Sequence, residues 1–141
     1  MKLMRFIPIL LMFVGFSAIA QNNEKLFDKI EYNAQTRGAQ FSIEVNDNKV
    51  VYKGSYGAKE VQLTKAQQKQ LNELIKGLDL NLISSLKAPS KKRLHDGALH
   101  GEFAIKVGDK DYKSSGFDAG NAPKELKPLE DYLNTLIGGI D

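Results

Sequence analysis

Polar and apolar positions alternate in four stretches of the chain, and two other stretches repeat with the period of a helix. Ile30 and Tyr32 share one face of Lys29–Asn33, the two-residue period of a half-buried strand. Phe41, Ile43 and Val45 alternate with Ser42, Glu44 and Asn46 in the same way. Asn46-Asp47-Asn48 follows as a turn cluster, because Asn and Asp tolerate a left-handed backbone and bond locally. Val50, Val51 and Tyr52 then return within Lys49–Lys53, which predicts a hairpin, with a short further strand over Glu60–Leu63. A second hairpin is predicted where Phe103, Ile105 and Val107 alternate with Glu102, Ala104 and Lys106. Gly108-Asp109 turns that chain, and Lys110–Ser115 returns through Tyr112.

The helical stripes follow each hairpin. Leu71, Leu74, Ile75 and Leu78 stand at i, i+3, i+4 and i+7, one face of an amphipathic helix. Thr64 with Gln67 three residues on has the form of a capping box, and Gly77 marks the stop. Leu80–Leu86 predicts a second helical turn with Leu82, Ile83 and Leu86 inward, ended at Ala88-Pro89-Ser90. Leu126, Leu129, Leu133, Leu136 and Ile137 form the last stripe. Pro128 cannot sit deep in a helix, so the regular helix is expected to begin near it, after a turn at 123–126, and to end at Gly138-Gly139. The order strands, helix, strands, helix predicts an α+β fold, an antiparallel sheet from two hairpins with both helices packed on one face.

The first twenty residues stand apart. Lys2 and Arg5 precede an almost wholly apolar run from Phe6 to Phe16, and Ser17-Ala18-Ile19-Ala20 follows. Basic, apolar and small-residue regions in that order make a secretory signal peptide, with cleavage expected between Ala20 and Gln21. The apolar run is too short to span a bilayer, and no later run approaches that length. The expected organisation is therefore a signal peptide over 1–20, a flexible segment over 21–28 and a single α+β domain over 29–141. Localisation is periplasmic or secreted, with no transmembrane segment in the mature chain.

Removing the leader takes the formal charge from +3 to +1 and removes all three methionines. With no cysteine anywhere, the mature chain offers no disulfide, thiolate metal site or sulfur nucleophile. A net charge near zero on an exported chain argues against nucleic acid as a partner.

Candidate chemistry is sparse. His95 and His100, with Asp96 and Glu102 nearby, match no metal motif, so no metal or cofactor is expected. None of the serines lies in a Gly-x-Ser-x-Gly turn. Glu130-Asp131 reads as the solvated face of the last helix, and no glycine loop has nucleotide-binding spacing. No catalytic residue is expected and the chain is not read as an enzyme. Tyr52, Tyr56, Tyr112 and Phe117 fit core or sheet-face packing better than a recognition surface. The most distinctive polar feature is the basic run of Lys87, Lys91, Lys92 and Arg93, leading to His95. These five residues are the candidate contact for an acidic partner surface, an anionic envelope polymer or lipid headgroups, although a solvated loop explains them too.

The whole mature layout resembles a pattern met in small exported bacterial proteins. It has an Ile30-Glu31-Tyr32 strand, a short turn at Arg37-Gly38-Ala39 and a Leu-rich helix running into Leu80-Asn81-Leu82-Ile83. A proline-containing loop with Asp96, the Phe103-Ala104-Ile105 strand and a closing Pro123…Leu126…Leu129 helix complete it. In element order it is distantly similar to emfourin-type inhibitors of thermolysin-like metalloproteases. That resemblance implies a non-enzymatic binding module with a protease as its protein partner, and it assigns no inhibitory residue.

Overall fold

The computed structural model describes residues 25–138. The expected leader, its cleavage point at Ala20-Gln21, residues 21–24 and Gly139 lie outside the described residues. The elements are β1 (Lys29–Gln35), β2 (Gln40–Asn46), β3 (Lys49–Gly54), β4 (Gly57–Gln62), α1 (Lys65–Lys76), β5 (His100–Val107), β6 (Lys110–Lys113), β7 (Phe117–Asp118) and α2 (Lys127–Leu136). Two single turns of 3₁₀ helix, Ile83–Ser85 and Lys92–His95, lie in the connection from α1 to β5.

All seven strands join one antiparallel sheet in the order β4-β3-β2-β1-β5-β6, with β7 pairing the start of β5. The two expected hairpins thus share a sheet because β1 pairs with both β2 and β5. The two-residue period decides which side is buried. Ile30, Tyr32, Ile43, Val45, Val50, Phe103 and Ile105 form the inner face, all at most 1% exposed. Glu31, Glu44, Lys53 and Lys106 alternate onto the other face, where Lys29 pairs with Glu31 at 2.9 Å. Such exposed pairs contribute little to stability. The inner face is closed by Leu71 and Ile75 of α1 and by Leu129, Leu133 and Leu136 of α2.

An aromatic row crosses five strands beneath the helices. Phe117, Phe103, Tyr32, Phe41 and Tyr52 follow one another with ring centroids 5.9, 4.8, 5.6 and 6.1 Å apart. These spacings lie in the favourable range for aromatic pairs. Gly101 makes room for the row, because a Cβ there would stand 3.0 Å from the Phe117 ring.

The helix ends follow the local chemistry. The Thr64 hydroxyl accepts from the Gln67 amide, and the Thr64 amide donates to the Gln67 side chain, completing the capping box. Pro128 occupies the first turn of α2, where its missing N–H costs nothing. At the other end of α2, Lys59 Nζ donates to the Ile137 carbonyl at 2.9 Å, a cation on the negative pole of the helix.

Two boundaries differ from expectation. Phe27 is 5% exposed in the core. The Asp28 amide donates to the Lys106 carbonyl, and the Asp28 carboxylate accepts from the Gly108 amide. Fixed contacts thus start ahead of Lys29. The turn after α1 buries Ile83 but leaves Leu82 54% exposed, because a 3₁₀ turn repeats every three residues and cannot turn Leu82, Ile83 and Leu86 all inward.

Candidate functional site

The connection from Leu82 to Leu99 runs along the β6–β7 edge of the sheet and holds the whole basic run. It is fastened from below by residues of the β6–β7 segment. The Ser115 amide donates to the Ile83 carbonyl and its hydroxyl donates to the Leu86 carbonyl. The Ala119 amide donates to the Leu99 carbonyl. Ser114 joins the neighbouring strand, accepting from the Phe103 amide and donating to the Ser115 carbonyl.

The central fastening is Asp118, at the end of β7 and 2% exposed. Its carboxylate accepts from the Ser90 hydroxyl, from the Lys92 amide at 2.8 Å and from the Arg93 amide at 3.0 Å. The Arg93 guanidinium adds an ion pair at 3.1 Å and donates as well to the Ser90 carbonyl at 2.9 Å. Asn121 donates to the Ser90 hydroxyl oxygen and completes the ring of bonds. Burial pushes a carboxyl pKa up, but the bonds from Ser90, from the Arg93 and Lys92 amides and from the guanidinium outweigh it and hold Asp118 well below the ordinary carboxylate range. Asp118 is therefore charged at neutral pH and clamps the Lys92–His95 turn onto the sheet. The turn ends at Asp96, whose left-handed backbone (φ 56°) lets the Gly97 amide return to the Lys92 carbonyl.

The sequence-predicted contact residues divide on this frame. Lys87, Lys91, Lys92 and His95 are exposed. Arg93 is drawn inward, its side chain 14% exposed and bound to Asp118. Its Nε is buried without a partner among the described residues. The loop also exposes an apolar side chain that the sequence reading passed over, Leu94 at 64%. The run of cations before it hid it, because Leu94 has no periodic partner to mark which way it faces.

A second buried carboxylate lies beside the first and corrects an expectation. Glu130 is 0% exposed, not on the solvated face of α2. Its carboxylate accepts from the Tyr32 hydroxyl at 2.7 Å, from the Gly120 amide at 3.2 Å and from the Ala122 amide at 3.3 Å. These donors replace the water it gives up. Asp131, one residue on, is exposed as expected and pairs with Lys127. Burial and the Glu130 charge push the Tyr32 phenol far above its ordinary range, so it stays a donor. Asp118 lies in a two-residue strand and is buried at the sheet edge.

The two histidines lie in different elements. His95 ends the 3₁₀ turn, whereas His100 opens β5, its ring lying against Gly116, where even a Cβ would collide with it. Among the described residues no group of three or more His, Asp or Glu side chains could hold a metal ion, and no helix is long and apolar enough to cross a membrane. Phe117 is buried and Tyr52 and Tyr112 are half-buried, in keeping with sheet packing. Tyr56, at the β3–β4 tip, is 98% exposed and departs from it. Comparison with protein-family models, with curated proteins and with solved structures finds no match for this chain.

Proposed function

We propose that the chain is an exported, non-enzymatic binding module whose contact element is the loop from Leu82 to His95. The observation that carries the reading is the Asp118 clamp. It holds the loop backbone through two amides, a hydroxyl and a guanidinium while Lys91, Lys92, Leu94 and His95 face outward. A loop already ordered in the free protein gives up less conformational entropy when a partner binds. An exposed leucine flanked by cations suits a partner with an apolar recess in an acidic rim. The hydroxyls of Ser90, Ser114 and Ser115 favour the same reading, since each donates to a carboxylate or carbonyl of the fold.

In its sharpest form the partner is a thermolysin-like metalloprotease, as the similarity in element order implies. Titration of such a protease with the purified domain should give saturable loss of activity that Leu94→Asp abolishes. No inhibition at micromolar excess removes the protease form. A second reading rests on Lys87, Lys91 and Lys92, which are exposed and form no ion pair among the described residues. They would meet an anionic envelope polymer or lipid headgroups. Binding to anionic vesicles should then weaken steeply with salt, and neutralising the three lysines should abolish it.

A further inference from the structure

The open face of the sheet changes character along its length. At one end its charges answer one another: Lys29 pairs with Glu31 and Glu44, and Lys49 pairs with Glu60. At the other end two successive rows of polar side chains cross the strands. Strand pairing sets Glu102, Asn33, Ser42 and Lys53 side by side on β5, β1, β2 and β3. His100, Gln35 and Gln40 form the next row. Between the rows, the backbone at Ala34, Phe41 and Gly54 makes the floor of a cavity of about 470 Å³ that both rows line. Among the described residues none of the side chains in these rows forms a hydrogen bond or an ion pair. Lys53 and Glu102 stand three strand spacings apart, about 14 Å across the backbone. The rows also sit poorly with strand chemistry. Neither holds a β-branched residue, and Asn33 occupies the central strand although Asn is depleted in strands. Thr or Val at these positions would serve the sheet better.

We propose that this cavity binds a neutral oligosaccharide, its hydroxyls answered by Asn33, Gln35, Gln40 and Ser42 and, at the two ends, by Glu102 and Lys53. Sugar hydroxyls both donate and accept, and so do these amides and the Ser42 hydroxyl. Lys53 and Glu102 cancel in formal charge, so together they favour neither an anion nor a cation. An apolar ligand would take water from these groups and return no partner. The volume falls within the range of small-molecule sites, about 300–1,000 Å³, and a row that crosses four strands is longer than one sugar ring. Tyr56 supplies an apolar face. It is 98% exposed and supports nothing in the core. Its turn is tied to the cavity rim by the neighbouring Ser55 hydroxyl, which accepts from the Gln40 amide at 3.1 Å. An exposed phenol ring has an apolar body for the C–H side of a sugar and a polar tip for its hydroxyls. The site lies outside the Leu82–His95 loop and does not depend on it.

The test is titration of the purified protein with maltohexaose, cellohexaose and chitohexaose, and with hexagalacturonate as an anionic counterpart. Calorimetry gives affinity, and NMR of the Asn33, Gln35 and Gln40 side-chain amides gives location. At least one neutral hexasaccharide should bind saturably and shift those amides, and hexagalacturonate should bind more weakly. Asn33→Val should weaken binding by about tenfold, the factor carried by one hydrogen-bonding group of ordinary net strength. Its urea midpoint should hold or rise, since Val suits a strand, which separates lost binding from lost fold. Tyr56→Ser, at a side chain that packs on nothing, should weaken binding with the unfolding curve unchanged. Lys87, Lys91 and Lys92 changed together to Gln should leave affinity unaltered, which separates this site from the loop. No binding of any neutral hexasaccharide, shifts elsewhere in the molecule, affinity indifferent to Asn33→Val or Tyr56→Ser, or tighter binding of hexagalacturonate would overturn the proposal.

Discussion

Asp118 and Glu130 are both buried carboxylates, 2% and 0% exposed, yet they hold different kinds of structure. Glu130 takes its donors from the central strand and from α2 and its approach: the Tyr32 hydroxyl, the Gly120 and Ala122 amides, and the Lys127 ammonium at 3.4 Å. It ties helix to sheet. Asp118 takes its donors from a surface connection, at Ser90, Lys92 and Arg93. It ties a loop to the sheet edge, and that loop carries the exposed cations and Leu94. The difference teaches how one small sheet can both build a core and present a contact element. An acid facing inward supports packing; an acid at the edge sets the shape of what lies outside.

The comparison breaks first at Glu130. Glu130→Ala leaves the Tyr32 hydroxyl and two amides without an acceptor and opens a cavity. It should cost about 3–5 kcal/mol of global stability in urea unfolding. A cost under 1 kcal/mol would mean that α2 is held by its leucines alone.

Asp118→Asn should cost about 2–3 kcal/mol, since it loses the charge beside Arg93 and turns a donor toward donors. Its larger effect should be local, with the loop freed while the sheet persists. Acid provides the same lesion reversibly. The folded-state pKa of Asp118 is depressed, so the unfolded chain binds the proton first as pH falls below about 4. The Asp118 contribution is fully present above that value and is lost as pH falls toward the folded pKa. Unfolding curves from pH 6 to pH 2 should therefore fall more steeply for the wild type than for Asp118→Asn. Parallel curves would remove the clamp as the cause.

Tyr32→Phe sharpens the other arm, with an expected cost of about 1–2 kcal/mol. Tyr32 has its folded pKa raised above the ordinary value near 10. Its share of stability holds below pH 10 and is lost as pH rises beyond it, a loss that the Phe variant should show less. The smallest effect on stability is expected at Leu94. Leu94→Ser should lie within about 0.5 kcal/mol of the wild type while abolishing partner binding, since the side chain supports nothing inside.

The layers of the fold were legible because burial and period agree. Ile43 and Val45, or Leu129 and Leu133, need only one face covered, and their spacing announces it. The capping box at Thr64 was equally plain, since both partners are local. Pairing of β1 with β5 was not legible, because no local signal joins segments so far apart in sequence. Glu130 escaped notice for a related reason. On a helix it stands between Leu126 and Leu133 on the inner stripe, but its charge argues for solvent until Tyr32 and the amides of Gly120 and Ala122 are placed around it. Asp118 hid in a segment rich in turn residues, with donors from a part of the chain far upstream. The basic run was visible as composition; that Arg93 folds inward while Leu94 stays out depends on that distant acid.

Amide hydrogen exchange on the wild type and Asp118→Asn tests the central claim most directly. We predict that the Lys92 and Arg93 amides are protected in the wild type and exchange freely in the variant, while β1 and β5 keep their protection. Loop protection unchanged by the substitution, or lost together with that of the sheet, would contradict the account.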